Sequence, residues 1–180
     1  MIDHREMGMA WRNNALTLYH GTAGSCADDI LANGINLAHA IRNRDFGPGF
    51  YTARSLTQAV QFANDTYRRM RALHVNNSRS NTDPLAAAVI EFTVDRNSLS
   101  RLSSLAFVLP TDEWREFVMH CRNGGHHKPD GTNYDLVYGP VSTMYYTAWP
   151  NYEQLSFHSV SAIGHLVLGR APPLRGKPTL

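Results

Sequence analysis

Apolar and polar residues alternate in several stretches of this chain, and the alternation predicts β-strands. Residues 16–20 alternate in this way and run into Gly21-Thr22, a turn signal, so the first strand is expected to stop there. The same pattern predicts four later strands, at residues 86–94, 134–141, 143–147 and 154–158. Most of the predicted strands therefore lie in the second half of the chain.

Other stretches repeat their apolar residues every three to four positions, which predicts helices. The best supported helix follows Ser55 and places six apolar residues on one face: Leu56, Ala59, Val60, Ala63, Tyr67 and Met70. A shorter helix is expected to be capped by Ser25 and to end at Asn33-Gly34, and another is expected to begin at Thr111. Residues 159–167 predict a last short helix.

The order of these elements predicts the fold class. Early helices lie between strands and several strands cluster late, which favours an α+β fold around a split antiparallel sheet. A chain of 180 residues fits one domain. We expect that domain at 15–168, after a polar lead-in at 1–14 and before a proline-rich tail at 169–180 with nothing to pack. Residues 36–44 and 76–84 are expected to be loops.

Composition narrows the class of protein and its surroundings. No apolar run approaches the roughly 18–20 residues of a membrane span, and residues 1–14 lack the apolar stretch of a signal peptide. Cys26 and Cys121 have no CxxC partner, which argues against a disulfide framework or a zinc site and favours a reduced, cytoplasmic setting. The formal net charge of +2 gives only weak attraction to nucleic acid.

Lysine is scarce, since Lys128 and Lys177 are the only two lysines in the chain. A GC-rich genome is the simpler explanation. The alternative is a toxin or effector that is delivered into a target cell by a specialised secretion system and has been selected to lack ubiquitin acceptor sites.

Two short segments are suited to line a ligand cleft. In Tyr19-His20-Gly21-Thr22 an imidazole stands beside a glycine, whose missing side chain lets a planar ligand approach the backbone. The segment 45–51 places two glycines and a proline before Tyr51, which carries a flat ring. Taken alone, each segment is also explained by an ordinary turn next to a core strand.

Taken together, the two segments resemble the ADP-ribosyltransferase superfamily, in the branch with His-Tyr-Glu active sites that includes the poly(ADP-ribose) polymerases. That branch pairs a His-Gly-Thr strand with a later Phe-Gly-x-Gly-x-Tyr strand and an alanine-rich helix. This chain has His20-Gly21-Thr22, then Phe46-Gly47-Pro48-Gly49-Phe50-Tyr51, then a helix containing Phe62-Ala63. The resemblance implies the ADP-ribosyltransferase fold, with split antiparallel sheets and flanking helices around a cleft for NAD as substrate.

The resemblance also implies roles for individual residues. His20 is expected to hydrogen-bond a ribose hydroxyl of NAD, and the backbone of Gly21 to pair with the nicotinamide carboxamide. Tyr51 and Phe62 are expected to sandwich the nicotinamide ring, although Phe62 is also explained as a core residue of an amphipathic helix. The remaining residues expected to contact NAD are Thr22, Phe46, Gly49 and Ser156.

The second half resembles more narrowly a bacterial family of unknown function within the same superfamily. The segments that carry this resemblance are Glu113-Trp114-x-x-Phe117-Val118, Tyr134–Val141 and Gln154-Leu155-Ser156-Phe157-His158. Most members of the superfamily place a glutamate at the start of a late strand, and the matching position here is Gln154. Because neighbouring strand residues face opposite sides, only one of Glu153 and Gln154 enters the cleft, and Gln154 is preferred.

The expected function is therefore mono-ADP-ribosyl transfer from NAD to a macromolecule, with His20, Tyr51 and Gln154 as the catalytic residues. The acceptor stays open among protein, RNA and DNA, and an antitoxin or immunity protein is the expected partner of a toxin. An NAD glycohydrolase and an inactive module that binds NAD or ADP-ribose are the alternatives. No metal is expected, since His126, His127 and Asp130 lie in a loop without further spaced ligands. The arginines at 68, 69 and 71 are expected to balance a helix C-terminus.

Overall fold

The computed structural model describes residues 13–76 and 86–176. The predictions for residues 1–12, for the linker at 77–84 and for the end of the tail at 177–180 lie outside these ranges. The described strands are β1 (Leu16–Ala23), β2 (Phe50–Thr52), β3 (Ala87–Val94), β4 (Ser104–Ala106), β5 (Leu136–Ser142), β6 (Ala148–Phe157), β7 (Val167–Leu168) and β8 (Leu174–Gly176). The described α-helices are α1 (Gly24–Asn33), α2 (Leu56–Asn76), α3 (Arg96–Leu99), α4 (Asp112–Arg122) and α5 (Val160–Ile163).

The strands form two mostly antiparallel sheets, which confirms the α+β class and the split antiparallel sheet. In the first sheet β3 pairs with β1, β7 and β8, and in the second the order is β2-β6-β5-β4. All pairs are antiparallel except β4 with β5, which is parallel. The sheets are joined where Tyr19 and Ala53 exchange two backbone hydrogen bonds of 2.8 Å.

Three apolar clusters hold the layers together. Leu18, Phe92 and Phe157 belong to a core that both sheets share. The face of β1 and β3 that carries Ala23 and Val89 packs against α2. Trp114 of α4 packs with Phe46 and Val137 beneath the second sheet. The helical spacing of apolar residues after Ser55 is explained in part: Ala59, Ala63, Tyr67 and Met70 pack against the first sheet, whereas Leu56 and Val60 are exposed.

Several predicted boundaries are wrong for identifiable reasons. β1 does not stop at Gly21-Thr22, since both residues continue to pair with β3 as far as Ala23. Ser25 does not cap α1, because β1 runs directly into this helix and the N–H of Gly24 already donates to Ala86 at 2.5 Å. The helix expected at 159–167 is helical only in α5, which Ser159 caps.

Two further expectations about strands fail. Residues 143–147 form the turn between β5 and β6 instead of a strand, with Tyr146 at φ 59° and the N–H of Thr143 donating to the carbonyl of Thr147. The proline-rich tail was expected to pack against nothing, yet its β8 pairs with β3. By contrast, the cap predicted at Thr111 is confirmed, since its hydroxyl accepts a hydrogen bond from the N–H of Trp114. Among the described helices, none is both long enough and apolar enough to span a membrane.

Candidate functional site

A cavity of about 760 Å³ is lined by residues of both sheets, of α1 and α2, and of the loop at 35–45. This volume lies within the roughly 300–1,000 Å³ that is typical of small-molecule sites. Seven of the nine residues predicted to form the site line the cavity: His20, Gly21, Thr22, Gly49, Tyr51, Phe62 and Gln154. Phe46 and Ser156 do not.

His20 lies in the middle of β1 and its ring is fixed on two sides. Nδ1 is 2.7 Å from the backbone oxygen of Tyr51, and the ring stacks on Phe50 with centroids 4.3 Å apart. Burial lowers the pKa of His20 to about 4, so the ring is neutral at pH 7. Because a carbonyl only accepts, Nδ1 carries the single proton and Nε2 is an acceptor. The site therefore offers an acceptor, not a cation, at this position.

The missing side chain of Gly21 is required by the packing of α2 against β1. A Cβ built on it would stand 2.0 Å from the backbone oxygen of Ala59 and 2.8 Å from the nitrogen of Ala63, so α2 already fills the space beside it. The expectation that the missing side chain makes room for a ligand is wrong on this face.

The backbone of Gly21 nevertheless faces the cavity side of β1. Along an antiparallel strand, backbone N–H and C=O groups alternate between the two edges. Tyr19 directs both groups away from β3, towards Ala53. Gly21, two residues later, directs its own N–H and C=O to the same edge. One donor and one acceptor are thus presented side by side.

Tyr51 contributes its ring to the cavity, but its hydroxyl is already used. It donates to the backbone oxygen of Gly47 at 2.6 Å and accepts from the N–H of Phe46 at 3.0 Å. Gly47 adopts φ 73°, which favours glycine and turns the chain back towards this hydroxyl. Burial raises the pKa of Tyr51 well above its ordinary value, so the phenol stays protonated. Tyr51 is therefore suited to stacking and not to acid–base chemistry.

Phe46 and Ser156 support the wall of the site instead of contacting its contents. Phe46 is fully buried against Trp114 and its neighbours. Ser156 is also fully buried, and its hydroxyl lies 2.8 Å from Nε2 of His158, whose Nδ1 lies 2.7 Å from the backbone oxygen of Pro48. The prediction that these two side chains contact NAD is corrected: both lie behind the wall.

The loop from Phe46 to Pro48 is consequently held from behind. The backbone oxygens of Phe46, Gly47 and Pro48 lie within hydrogen-bonding distance of Nε2 of His127, the hydroxyl of Tyr51 and Nδ1 of His158, respectively. Burial lowers the pKa values of His127 and His158, the latter to about 4, so both rings are neutral. His127 lies in a loop, as predicted, but it is half-buried and holds the segment from Phe46 to Pro48 in place.

Phe62 projects from α2 into the cavity near an aromatic pair. Its ring meets that of Tyr152 edge-on at 6.0 Å, and Tyr152 stacks on Trp149 at 4.9 Å. Trp149 itself lines the cavity. A flat ligand group near Phe62 would therefore meet apolar surface from β6 as well as from α2.

Gln154 enters the cavity and Glu153 does not. Gln154 is 8% exposed, and its Nε2 donates to Oδ2 of Asp45 at 2.7 Å and to the backbone oxygen of Pro140 at 3.2 Å. Both amide hydrogens are thereby used, which leaves Oε1 as an acceptor for a ligand. Glu153 is exposed and lies 4.0 Å from Arg54, on the opposite face of β6.

Asp45 is the residue that fixes the glutamine, and the sequence did not single it out. Its buried carboxylate accepts from Nη2 of Arg122 at 2.6 Å, from the backbone N–H of Ser142 at 2.7 Å and from Gln154. Since a carboxylate only accepts, Asp45 determines that the nitrogen of the Gln154 amide faces inward. Arg122 lies 77 positions further along the chain, so no local sequence pattern predicts that it pairs with Asp45.

The fold and the cavity together define an α+β domain with a candidate small-molecule site walled by both of its sheets. A family model described as protein of unknown function (DUF3990) matches residues 16–166. The chain belongs to this family, as the resemblance to a family of unknown function predicted. No curated protein was found to match it in sequence.

Proposed function

We propose that this protein is an ADP-ribosyltransferase, which cleaves NAD at the nicotinamide–ribose bond and transfers ADP-ribose to a macromolecular acceptor. One observation carries the proposal. The two strands whose motifs resemble the superfamily, with His20-Gly21 on β1 and Tyr51 on β2, line the same cavity as Gln154. His20 and Tyr51 lie on different sheets and 31 positions apart in the chain, so their meeting at one cavity is not a consequence of closeness in sequence.

The free groups suit the nicotinamide half of NAD. The N–H and C=O of Gly21 complement the C=O and NH₂ of a carboxamide. Nε2 of His20 accepts from a ribose hydroxyl, while the rings of Tyr51 and Phe62 provide stacking surfaces. Holding the nicotinamide and its ribose in this way positions the glycosidic bond for cleavage.

In the proposed reaction the bond between the nicotinamide nitrogen and ribose C1′ breaks, and nicotinamide leaves with the electron pair. Oε1 of Gln154 accepts from the 2′-hydroxyl as positive charge develops on the ribose. The acceptor nucleophile then bonds to C1′ from the opposite face and releases its proton. A neutral glutamine stabilises the positive charge less than a carboxylate does, so a lower rate is expected than with glutamate.

The test is incubation of the purified protein with labelled NAD in cell extract. Wild type is expected to release nicotinamide and to label a macromolecule, and H20A is expected to do neither. H165A is the matched control, because His165 is half-buried but does not line the cavity. Circular dichroism confirms that each variant is folded. The proposal fails if wild type and H20A give the same product profile.

The same assay separates an NAD glycohydrolase, which yields free ADP-ribose without a labelled macromolecule. Expression in cells gives a first test of the proposed role as a toxin or effector, since growth arrest that H20A abolishes is expected. Labelled protein, RNA and DNA fractions then identify the acceptor class.

A second candidate, a module that binds NAD or ADP-ribose without reacting, is favoured by the uncharged amide of Gln154. Its signature is saturable NAD binding by calorimetry together with no nicotinamide release over hours. Loss of that binding in H20A but not in H165A would place it in this cavity.

A further inference from the structure

Three arginines line the cavity, and only one of them has a carboxylate partner among the described residues. Arg122 is paired with Asp45. Arg69 contacts only uncharged oxygens, the backbone oxygen of Asp65 and the hydroxyl of Thr66, both at 3.3 Å.

Arg44 has no side-chain hydrogen bond or ion pair within residues 13–76 and 86–176, although it is half-buried. Its backbone is held in the turn before the motif of β2, where the N–H of Gly47 donates to its carbonyl at 3.0 Å. Unpaired arginines are rarely withdrawn from water, because desolvating a charge is costly. Burial lowers the pKa of Arg44, and the positive charge of Arg69 lowers it further.

Neither acidic residue of the cavity forms an ion pair with Arg44 or Arg69. Asp45 is already occupied by Arg122, Ser142 and Gln154. Asp29, the other carboxylate in the lining, accepts from the side chain of Asn33 at 2.7 Å and lies 3.9 Å from His39. An anion that enters the cavity near Arg44 therefore meets two guanidinium groups that are not paired with a carboxylate of the described residues.

We propose that Arg44 and Arg69 form a subsite for the diphosphate group of a nucleotide. Each guanidinium presents a planar set of donors that matches phosphate oxygens, and two of them on one cavity suit two linked phosphates. No residue other than Arg44 and Arg69 is assigned to this subsite. It extends the proposed function, because it assigns the part of the ligand that the nicotinamide end leaves unassigned.

The experiment is calorimetric titration of the whole chain with inorganic pyrophosphate, ADP and adenosine. Wild type is expected to bind pyrophosphate and ADP, with an affinity that falls as salt is added, and to bind adenosine at least about tenfold more weakly than ADP. R44M and R69M are each expected to lower the affinity for ADP by about 10- to 100-fold, as for loss of a charge-assisted hydrogen bond.

R68M is the matched control. Arg68 is next to Arg69 on α2, but it pairs with Asp65 and does not line the cavity. Its affinity for ADP is expected to stay within about twofold of wild type. R44M is expected to unfold at the same or a higher temperature than wild type, because a half-buried repulsive charge is removed, so its loss of binding does not reflect loss of fold.

The subsite is refuted if wild type binds neither ADP nor pyrophosphate, if R44M and R69M bind ADP like wild type, or if R68M weakens binding equally. The subsite and the proposed function can be refuted independently of each other. ADP binding that depends on Arg44 without any NAD cleavage retains the subsite and refutes the enzyme. NAD cleavage with an unchanged KM in R44M retains the enzyme and refutes the subsite.

Discussion

Replacing Gln154 with glutamate, the residue usual at this position in the superfamily that the chain resembles, is expected to destabilise the fold. Nε2 of Gln154 lies 2.7 Å from Oδ2 of Asp45 and donates to it. A carboxylate oxygen in place of Nε2 would face another carboxylate at the same distance, with no hydrogen between them. Glutamine at 154 is thus the residue that a buried aspartate at 45 requires.

The magnitude follows from two losses. A hydrogen bond to a charged group contributes about 1.5–3 kcal/mol. Two carboxylate charges about 4 Å apart repel by about 4 kcal/mol at an effective dielectric constant of about 20. Uptake of a proton limits the total, because holding a glutamate protonated at pH 7 costs about 3.7 kcal/mol. With Arg122 offsetting part of the repulsion, Q154E is expected to lose about 3 kcal/mol of unfolding free energy at pH 7.

The penalty depends on pH in a defined direction. Repulsion raises the pKa of the carboxyl pair in the folded state, so the folded protein binds more protons than the unfolded chain. The cost of Q154E therefore shrinks by about 1.4 kcal/mol for each unit that the pH falls below the raised pKa, until the unfolded glutamate also protonates near pH 4.3.

Urea unfolding of wild type, Q154E, D45N and the double variant at pH 7 and pH 5 measures these effects. The double variant is expected to lose at least about 2 kcal/mol less than the sum of the single variants, because only one carboxylate remains. E153Q, on the exposed opposite face, is expected to change stability by less than about 1 kcal/mol. Additive single effects, or a Q154E variant as stable as wild type at pH 7, would refute the reasoning.

Two further predictions concern stability. G21A is expected to lower the free energy of unfolding by at least about 2 kcal/mol in urea, because its Cβ would stand 2.0 Å from the backbone oxygen of Ala59. G176A is the control and is expected to leave stability unchanged, because a Cβ at Gly176 meets nothing within 4 Å. Equal effects of the two substitutions would refute the reasoning. Burial lowers the pKa values of His20 and His158 from 6.5 to about 4, so the unfolded chain binds protons that the folded protein does not. The free energy of unfolding is therefore expected to fall by about 1.4 kcal/mol per histidine for each unit that the pH is lowered between 6.5 and 4. A free energy of unfolding that stays constant from pH 7 to 4.5 would refute this.

Local patterns in the sequence were sufficient to predict the elements whose stabilising contacts are also local. The face of α2 and the cap at Thr111 follow from residues within a few positions of one another. The boundary of β1 does not, because Gly21 and Thr22 are held in the strand by Val89 and Ala88 of β3, which lie 68 and 66 positions further along the chain. Likewise, β4 is only three residues long and owes its existence to pairing with β5.

The residues of the candidate site also fall into those that a local pattern predicts and those that only the fold brings together. His20, Gly21 and Tyr51 belong to short motifs, so the sequence alone pointed to them. The Asp45–Arg122 pair has no such motif, and only folding shows that Asp45 orients Gln154. Phe46 and Ser156 belong to the motifs too, but a motif does not say which of its residues contact a ligand and which hold the wall in place.

The distribution of used and unused polar groups gives the strongest argument that the cavity is a binding site. A packing defect would be lined by apolar or mutually satisfied groups, and most polar groups of this wall are indeed satisfied by their neighbours. Groups of the wall that keep unused hydrogen-bonding capacity include the backbone of Gly21, Nε2 of His20, Oε1 of Gln154 and the guanidinium groups of Arg44 and Arg69. Arg69 donates only to uncharged oxygens, the other groups have no partner among the described residues, and all of these residues line the same cavity. These groups support the proposal that the ligand is NAD, because its carboxamide, ribose hydroxyls and diphosphate would complement them.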